Sequence, residues 1–119
     1  IYPVVNTSIT TNANYTYTFA NLKNILITRS GLTAPRTDTF VTGATLSSSF
    51  SLGSGTMKFV IQNISSFALT IDAASTSGWT QSPSSIIIGS GQSGYFYIAV
   101  DTVNSVCMLF TIGIYELDG

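Results

Sequence analysis

Charged side chains are scarce in this sequence: four Lys or Arg and five Asp or Glu in 119 residues, with no histidine. They make up 8% of the chain, against about 25% in an average soluble domain. A chain with so few cations offers no basic patch for phosphates and no polybasic stretch for an anionic membrane, so neither nucleic acid nor membrane is an expected partner. The lack of histidine removes nucleophilic catalysis that relies on an imidazole base. The one cysteine, Cys107, excludes an intrachain disulfide, and its neighbours Val106, Met108 and Leu109 point to a buried thiol. Long apolar runs are missing too. The longest, Tyr95 to Val100, falls far short of the ~20 residues of a spanning helix.

Helix signals are nearly absent, with one Glu, two Lys, two Arg and no apolar repeat at i, i+3, i+4 and i+7 sustained beyond two turns. What fills the sequence instead is hydroxyl and strand chemistry: 17 Ser, 17 Thr and many short alternating runs. In TMKFVIQN, Met57, Phe59 and Ile61 share one face and Lys58, Val60 and Gln62 the other. FALTID repeats the pattern with Phe67, Leu69 and Ile71. The link Asn63-Ile64-Ser65-Ser66 is hairpin-sized, and its Asn can hydrogen-bond its own turn, so the two runs are expected to pair as a hairpin. Further strands are expected near Asn24–Thr28, Leu46–Phe50, Ser85–Ile88, Gly94–Asp101, Ser105–Glu116, Val4–Thr10 and Tyr15–Phe19. Together these predict an all-β chain, a single antiparallel β-sandwich of about eight strands, jelly-roll-like, over residues 1–119. The start at Ile1, without a signal-like leader, reads as a processed product or one piece of a longer polypeptide.

The last strands break the alternation. Val106, Met108, Phe110, Ile112 and Ile114 fall on one face, Cys107, Leu109 and Tyr115 on the other, and both faces are apolar. Tyr95 and Tyr97, opposite Phe96, Ile98 and Val100, pose the same problem. A sandwich buries one face of a sheet, so the other needs cover, either from a second copy or because the strand is central. Tyr95, Tyr97, Leu109 and Tyr115 are therefore candidate contacts with a partner chain.

Few stretches carry chemistry. Gly89-Ser90-Gly91-Gln92-Ser93-Gly94 matches G-x-G-x-x-G, but the aromatic, β-branched run after it reads as a strand, where a dinucleotide site needs a helix. A Ser/Lys nucleophile would need Lys23 or Lys58 desolvated beside a serine. Asp38, Asp72, Asp101, Glu116 and Asp118 could supply a glycosidase pair, yet their spacing shows no convergence. No calcium-loop pattern is present, so no catalytic residue, metal site or cofactor is expected. Asn6, Asn14 and Asn63 open N-x-[ST] sequons, whose use depends on a secretory route. Trp79, in SGWTQSPSS, either plugs one end of the sandwich or stacks on a sugar as a possible ligand contact. In RSGLTAPRTDTF, Pro35 and Gly31 predict a loop over residues 29–36. Arg36 and Asp38, bonded to each other and to backbone, are expected to pin it.

The succession NLKNILITRSGLTAPRTDTFVTGATL, GSGTMKFVIQN, ALTIDAASTSGWTQS, SIIIGSGQSGYFYIAV and VCMLFTIGIYEL, covering residues 22–117, resembles small β-sandwich modules in structural proteins of tailed phages and large DNA viruses. In those modules an R-T-D-T-x-x-T-A/G element precedes sheet strands and a GW/GV…I…G…F pattern follows. This chain departs from them at Phe40-Val41-Thr42, where Leu-Pro-Thr is more usual. The resemblance implies a non-enzymatic, capsid-associated, decorating or fibre-head protein of the virion. It would assemble with itself, often as a homotrimer, and with other capsid proteins. A host surface glycan or receptor is the alternative partner.

Overall fold

The computed structural model describes residues 5–23, 25–50 and 54–116. Strands β1 (Val5–Ile9), β2 (Thr16–Tyr17), β3 (Ile25–Arg29), β4 (Arg36–Phe40), β5 (Ser54–Asn63), β6 (Leu69–Ile71), β7 (Trp79–Ser82), β8 (Ile86–Ile88), β9 (Gln92–Asp101) and β10 (Val106–Glu116) are joined by two short helices, α1 (Phe19–Leu22) and α2 (Gly43–Ser47). Six strands form one sheet in the order β1-β3-β5-β9-β10-β7, and four form the other in the order β2-β4-β6-β8. The protein is mostly β, two mixed sheets packed face to face. The core lies between them, with Phe40, Phe59, Phe96, Leu69, Ile98 and Leu109 at its centre.

From β1 to β9 the chain changes sheet at every connection, and from β1 to β6 strands two apart in sequence become neighbours and run the same way. This holds for β1–β3, β3–β5, β2–β4 and β4–β6, which pair parallel; β7–β10 is also parallel, while β6–β8, β5–β9 and β9–β10 pair antiparallel. The expected purely antiparallel sheet is corrected accordingly, and the expected β5–β6 hairpin is corrected with it. β5 and β6 lie in opposite sheets, and the link between them arches across the sandwich.

Asn63 holds this arch. Its Nδ2 donates to the carbonyls of Phe67 (2.8 Å) and Ile88 (2.9 Å), and its Oδ1 accepts from the Ser65 amide and hydroxyl. The alternation of inward residues follows the sequence in β5 and β6, since Phe59, Ile61, Leu69 and Ile71 are all buried, whereas Phe67 stands exposed before β6 begins. Gln81 ties β7 to the opposite sheet. Its amide accepts from the Ala73 N–H at 2.6 Å and donates to the Ile71 carbonyl at 3.0 Å, as a strand backbone would.

Three local expectations change. Residues 46–50 do not form a strand; α2 occupies Gly43–Ser47, started by the Thr42 hydroxyl accepting from the Thr45 amide at 3.2 Å. The strand expected over Tyr15–Phe19 stops at Tyr17, because Thr18 and Asn21 form a capping box that opens α1. Trp79 to Ser82, outside the expected strands, form strand β7. Val4 and Asn24, at the ends of two expected strands, lie outside the described residues.

One contact fixes how α2 sits on the sheet. The Gly43 N–H donates to the Ser77 carbonyl at 2.9 Å, and a Cβ added at Gly43 would meet the Gly78 carbonyl oxygen at 2.3 Å. Backbone approaches backbone, so no side chain can yield. Gly43→Ala should cost about 1–3 kcal/mol by forcing the two segments apart, and urea unfolding of both proteins measures it. Equal midpoints would show that the contact is not constraining.

Candidate functional site

The Arg/Asp-rich stretch resolves into a buried ion pair. Arg29, the last residue of β3, and Asp38, in β4, face each other across the two sheets, with both side chains fully buried. The guanidinium engages the carboxylate through two bonds, Nε to Oδ2 at 2.8 Å and Nη2 to Oδ1 at 3.0 Å. Its remaining donors reach the carbonyls of Thr11 (2.8 Å) and Ala13 (2.9 Å). Asp38 also accepts from the Tyr17 hydroxyl at 2.6 Å and the Tyr15 amide at 2.9 Å. The expected Arg36–Asp38 bond is corrected: Asp38 points into the core toward Arg29. Arg36 instead donates to the carbonyl and side chain of Asn12 at the surface. The loop expected over residues 29–36 runs between β3 and β4, and Gly31 takes the left-handed φ of 76°.

Every donor and acceptor at this centre is turned inward to protein, which leaves no open coordination for a substrate. The other carboxylates are engaged locally. Asp72 accepts from the Ser75 amide, and Asp101 accepts from Val103 and Asn104. The Asn104 bonds hold the Asp101 carboxyl below the usual range. Glu116 accepts from Gln92. Asp118 lies outside the described residues. Among the described residues no three His, Cys, Asp or Glu gather where a metal could sit, and no helix is long and apolar enough to cross a membrane.

Trp79, the possible ligand contact, is placed inside. It is 6% exposed, leans on Phe40 with ring centroids 4.9 Å apart, and donates its Nε1–H to the Val41 carbonyl at 2.8 Å. Both the ring face and the polar edge are occupied, so the sugar-stacking expectation is corrected in favour of the plug. The glycine-rich stretch forms the turn into β9, with Gly91 at φ 76°. Asn63 is buried with its Nδ2 doubly engaged, so its sequon is closed in the folded chain, while Asn6 and Asn14 are at the surface. Cys107 is buried, and desolvation pushes its thiol up to about 11.

What remains open is the outer face of β9 and β10. Cys107 and Leu109 point into the core, and Leu109, expected at a partner contact, is fully enclosed by its own chain. Val106 and Met108 point outward. A bulge between Thr111 and Gly113 then reverses the alternation. Ile114 therefore packs on the core and Tyr115 stands outside, the opposite of the strict period-two assignment. Tyr115 meets Tyr95 edge-on at 5.3 Å, and Tyr97 stacks on Phe110 at 4.9 Å. Tyr95, Val106, Met108, Ile112 and Tyr115 are each 39–56% exposed. They leave on the order of 500 Å² of mainly apolar surface in water, a size at which a patch is often functional. Two shallow depressions of about 520 and 420 Å³ flank Met108 and Val106, one toward Ala99 and Thr56, the other toward Thr80. The sequence contained every residue of this face, but the bulge that sorts them had no signal beyond Gly113 itself.

Comparison of the chain with protein-family models, curated proteins and solved structures finds no match.

Two measurements test the ion-pair centre. Arg29→Met should lose about 3–5 kcal/mol, because it strands a buried carboxylate, while Arg36→Ala should lose about 1 kcal/mol or less; similar losses in urea would refute the assignment. Tyr17 holds its proton well above pH 10, chiefly through burial and secondly through the Asp38 charge. The unfolded chain releases that proton near pH 10 and the folded chain does not, so stability falls as pH rises above about 10, by up to ~1.4 kcal/mol per unit. In Tyr17→Phe this contribution to the slope should vanish.

Proposed function

We propose that this chain is a non-enzymatic structural module of a virion, a capsid-associated, decorating or fibre-head sandwich of jelly-roll-like kind that assembles through the outer face of β9 and β10. One observation carries the reading: a contiguous apolar face on the long strands β9 and β10, in a chain whose polarity is mostly Ser and Thr. Covering about 500 Å² at about 25 cal/mol per Å² supplies roughly 12 kcal/mol per copy, the same order as the 4–15 kcal/mol that association costs. A second copy of the chain, in a homotrimer, or another capsid protein supplies that cover. The viral assignment follows from the resemblance of residues 22–117, and scarce charge with abundant Ser and Thr is in keeping with it.

The second reading, a head that binds a host receptor or glycan, now rests on Tyr95 and Tyr115, since Trp79 is enclosed. Met108→Lys and Tyr115→Lys place charges on the open face without touching the core. Each should weaken self-association by roughly tenfold or more in sedimentation velocity, with an unchanged circular dichroism spectrum. A wild-type chain that stays monomeric at high concentration would refute self-assembly, and Tyr115-dependent binding on a glycan array would then favour the second reading.

A further inference from the structure

β10 outruns the strand that borders it. It spans Val106–Glu116, but β7 pairs with it only over Cys107–Phe110, because β7 ends at Ser82 and the next residue, Pro83, has no N–H to continue the ladder. Residues 83–85 are exposed and lead across to β8 in the other sheet. On the side away from β9, Thr111–Glu116 therefore has no strand partner among the described residues, and no turn or loop backbone bond among them reaches it. A strand paired on one side aims the N–H and C=O of alternate residues to the other, so this segment offers a row of open backbone groups. Side chains do not roof it. A Cβ added at Gly113 would meet the Tyr115 ring at 2.8 Å, and the same ring meets Tyr95 on β9, so Tyr115 leans away from the open edge.

The usual guards of an edge, lysine and proline, are missing from Thr111-Ile112-Gly113-Ile114-Tyr115-Glu116, and its one charge, Glu116, sits at the end and accepts from Gln92 of β9. The bulge between Thr111 and Gly113 leaves Gly113–Glu116 in regular register with β9. We propose that Thr111–Glu116 pairs antiparallel with the same segment of a second copy, joining two six-stranded sheets edge to edge. The occupant is a second copy because the segment is complementary to itself. About a two-fold axis between Gly113 and Ile114, Ile112 lies opposite Tyr115 of the second copy, a β-branched residue against an aromatic, where each is otherwise more than half exposed. The two Glu116 carboxylates fall at opposite ends, roughly 17 Å apart along the strands, beyond the ~8 Å within which exposed charges act in physiological salt. The contact is isologous and closes with two copies. It goes beyond the outer-face contact and needs none of that face to be covered; it sets the outer faces of two copies side by side on one surface.

Hydrogen exchange in the full-length chain tests this, since side-chain contact alone does not close edge amides. At concentrations where sedimentation velocity shows association, the Thr111–Glu116 amides that aim away from β9 should exchange roughly tenfold or more slowly than in the dilute monomer, while Cys107–Phe110, already paired to β7, should change little. Ile112→Lys places a cation on the edge and should remove that protection, with an unchanged circular dichroism spectrum. Met108→Lys weakens assembly through the face and should leave the edge-paired dimer and its protection. A wild-type chain that associates without added protection over Thr111–Glu116 overturns the edge contact and leaves the outer-face reading standing. Loss of both dimer and protection in Met108→Lys also overturns it, and a wild type monomeric at high concentration removes both contacts.

Discussion

The relation between the two sheets depends on Arg29 and Asp38. One belongs to the six-stranded sheet and the other to the four-stranded sheet, and neither has access to water. A charge in that position is tolerable only while its partner and hydrogen bonds are complete. Sliding or rotating one layer against the other would strand two charges at once. The pair therefore selects a single packing, a role that interchangeable apolar contacts fill poorly. It also draws in the connection between β1 and β2: Thr11 and Ala13 give their carbonyls to Arg29, while Tyr15 and Tyr17 donate to Asp38. A segment with little apolar content of its own is thereby ordered.

With the layers fixed, the bulge in β10 decides what faces outward. A change of phase by one residue exchanges the two sides of a strand. Before the bulge, Cys107 and Leu109 fill the core; after it, Ile114 does. Tyr115 is thereby carried to Tyr95 instead of into the sandwich. The outer patch thus follows from two separate features, the apolar composition of both strand faces and one irregularity in their pairing.

Much of this was legible in the sequence, and the failures share a cause. Alternation in β5, β6 and β9 gave the inward residues correctly, since a side chain's face depends on the strand alone. Pairing does not. A short link such as 64–68 suits a hairpin within one sheet or an arch between two, and the flanking alternation is identical in both. Only the buried Asn63, satisfied from Phe67 and Ile88, distinguishes them, and Ile88 is distant from it in sequence. The ion pair was half visible: Asp38 was singled out, but the nearer cation in sequence, Arg36, was assigned to it. The four-residue strand β7 carries too few alternations to mark itself against the Ser-rich turns around it.

An exposed apolar face invites uncontrolled association, and the strand lengths bear on that risk. The edges of the sheets are β1 and β7 on one side, β2 and β8 on the other, with five, four, two and three residues. Short edges offer few free backbone groups, which limits strand-to-strand addition of further chains. β9 and β10 lie within the six-stranded sheet, β9 paired along its length with β5 and β10, and β10 paired on its other side with β7 over Cys107–Phe110, so over that stretch only side chains are on offer. Contact over it is thus steered to the flat of the sheet. There, specificity comes from how the depressions beside Met108 are filled and from the few charges at hand, Asp101 in the lining of one depression and Lys58 farther along the sheet, level with Tyr97.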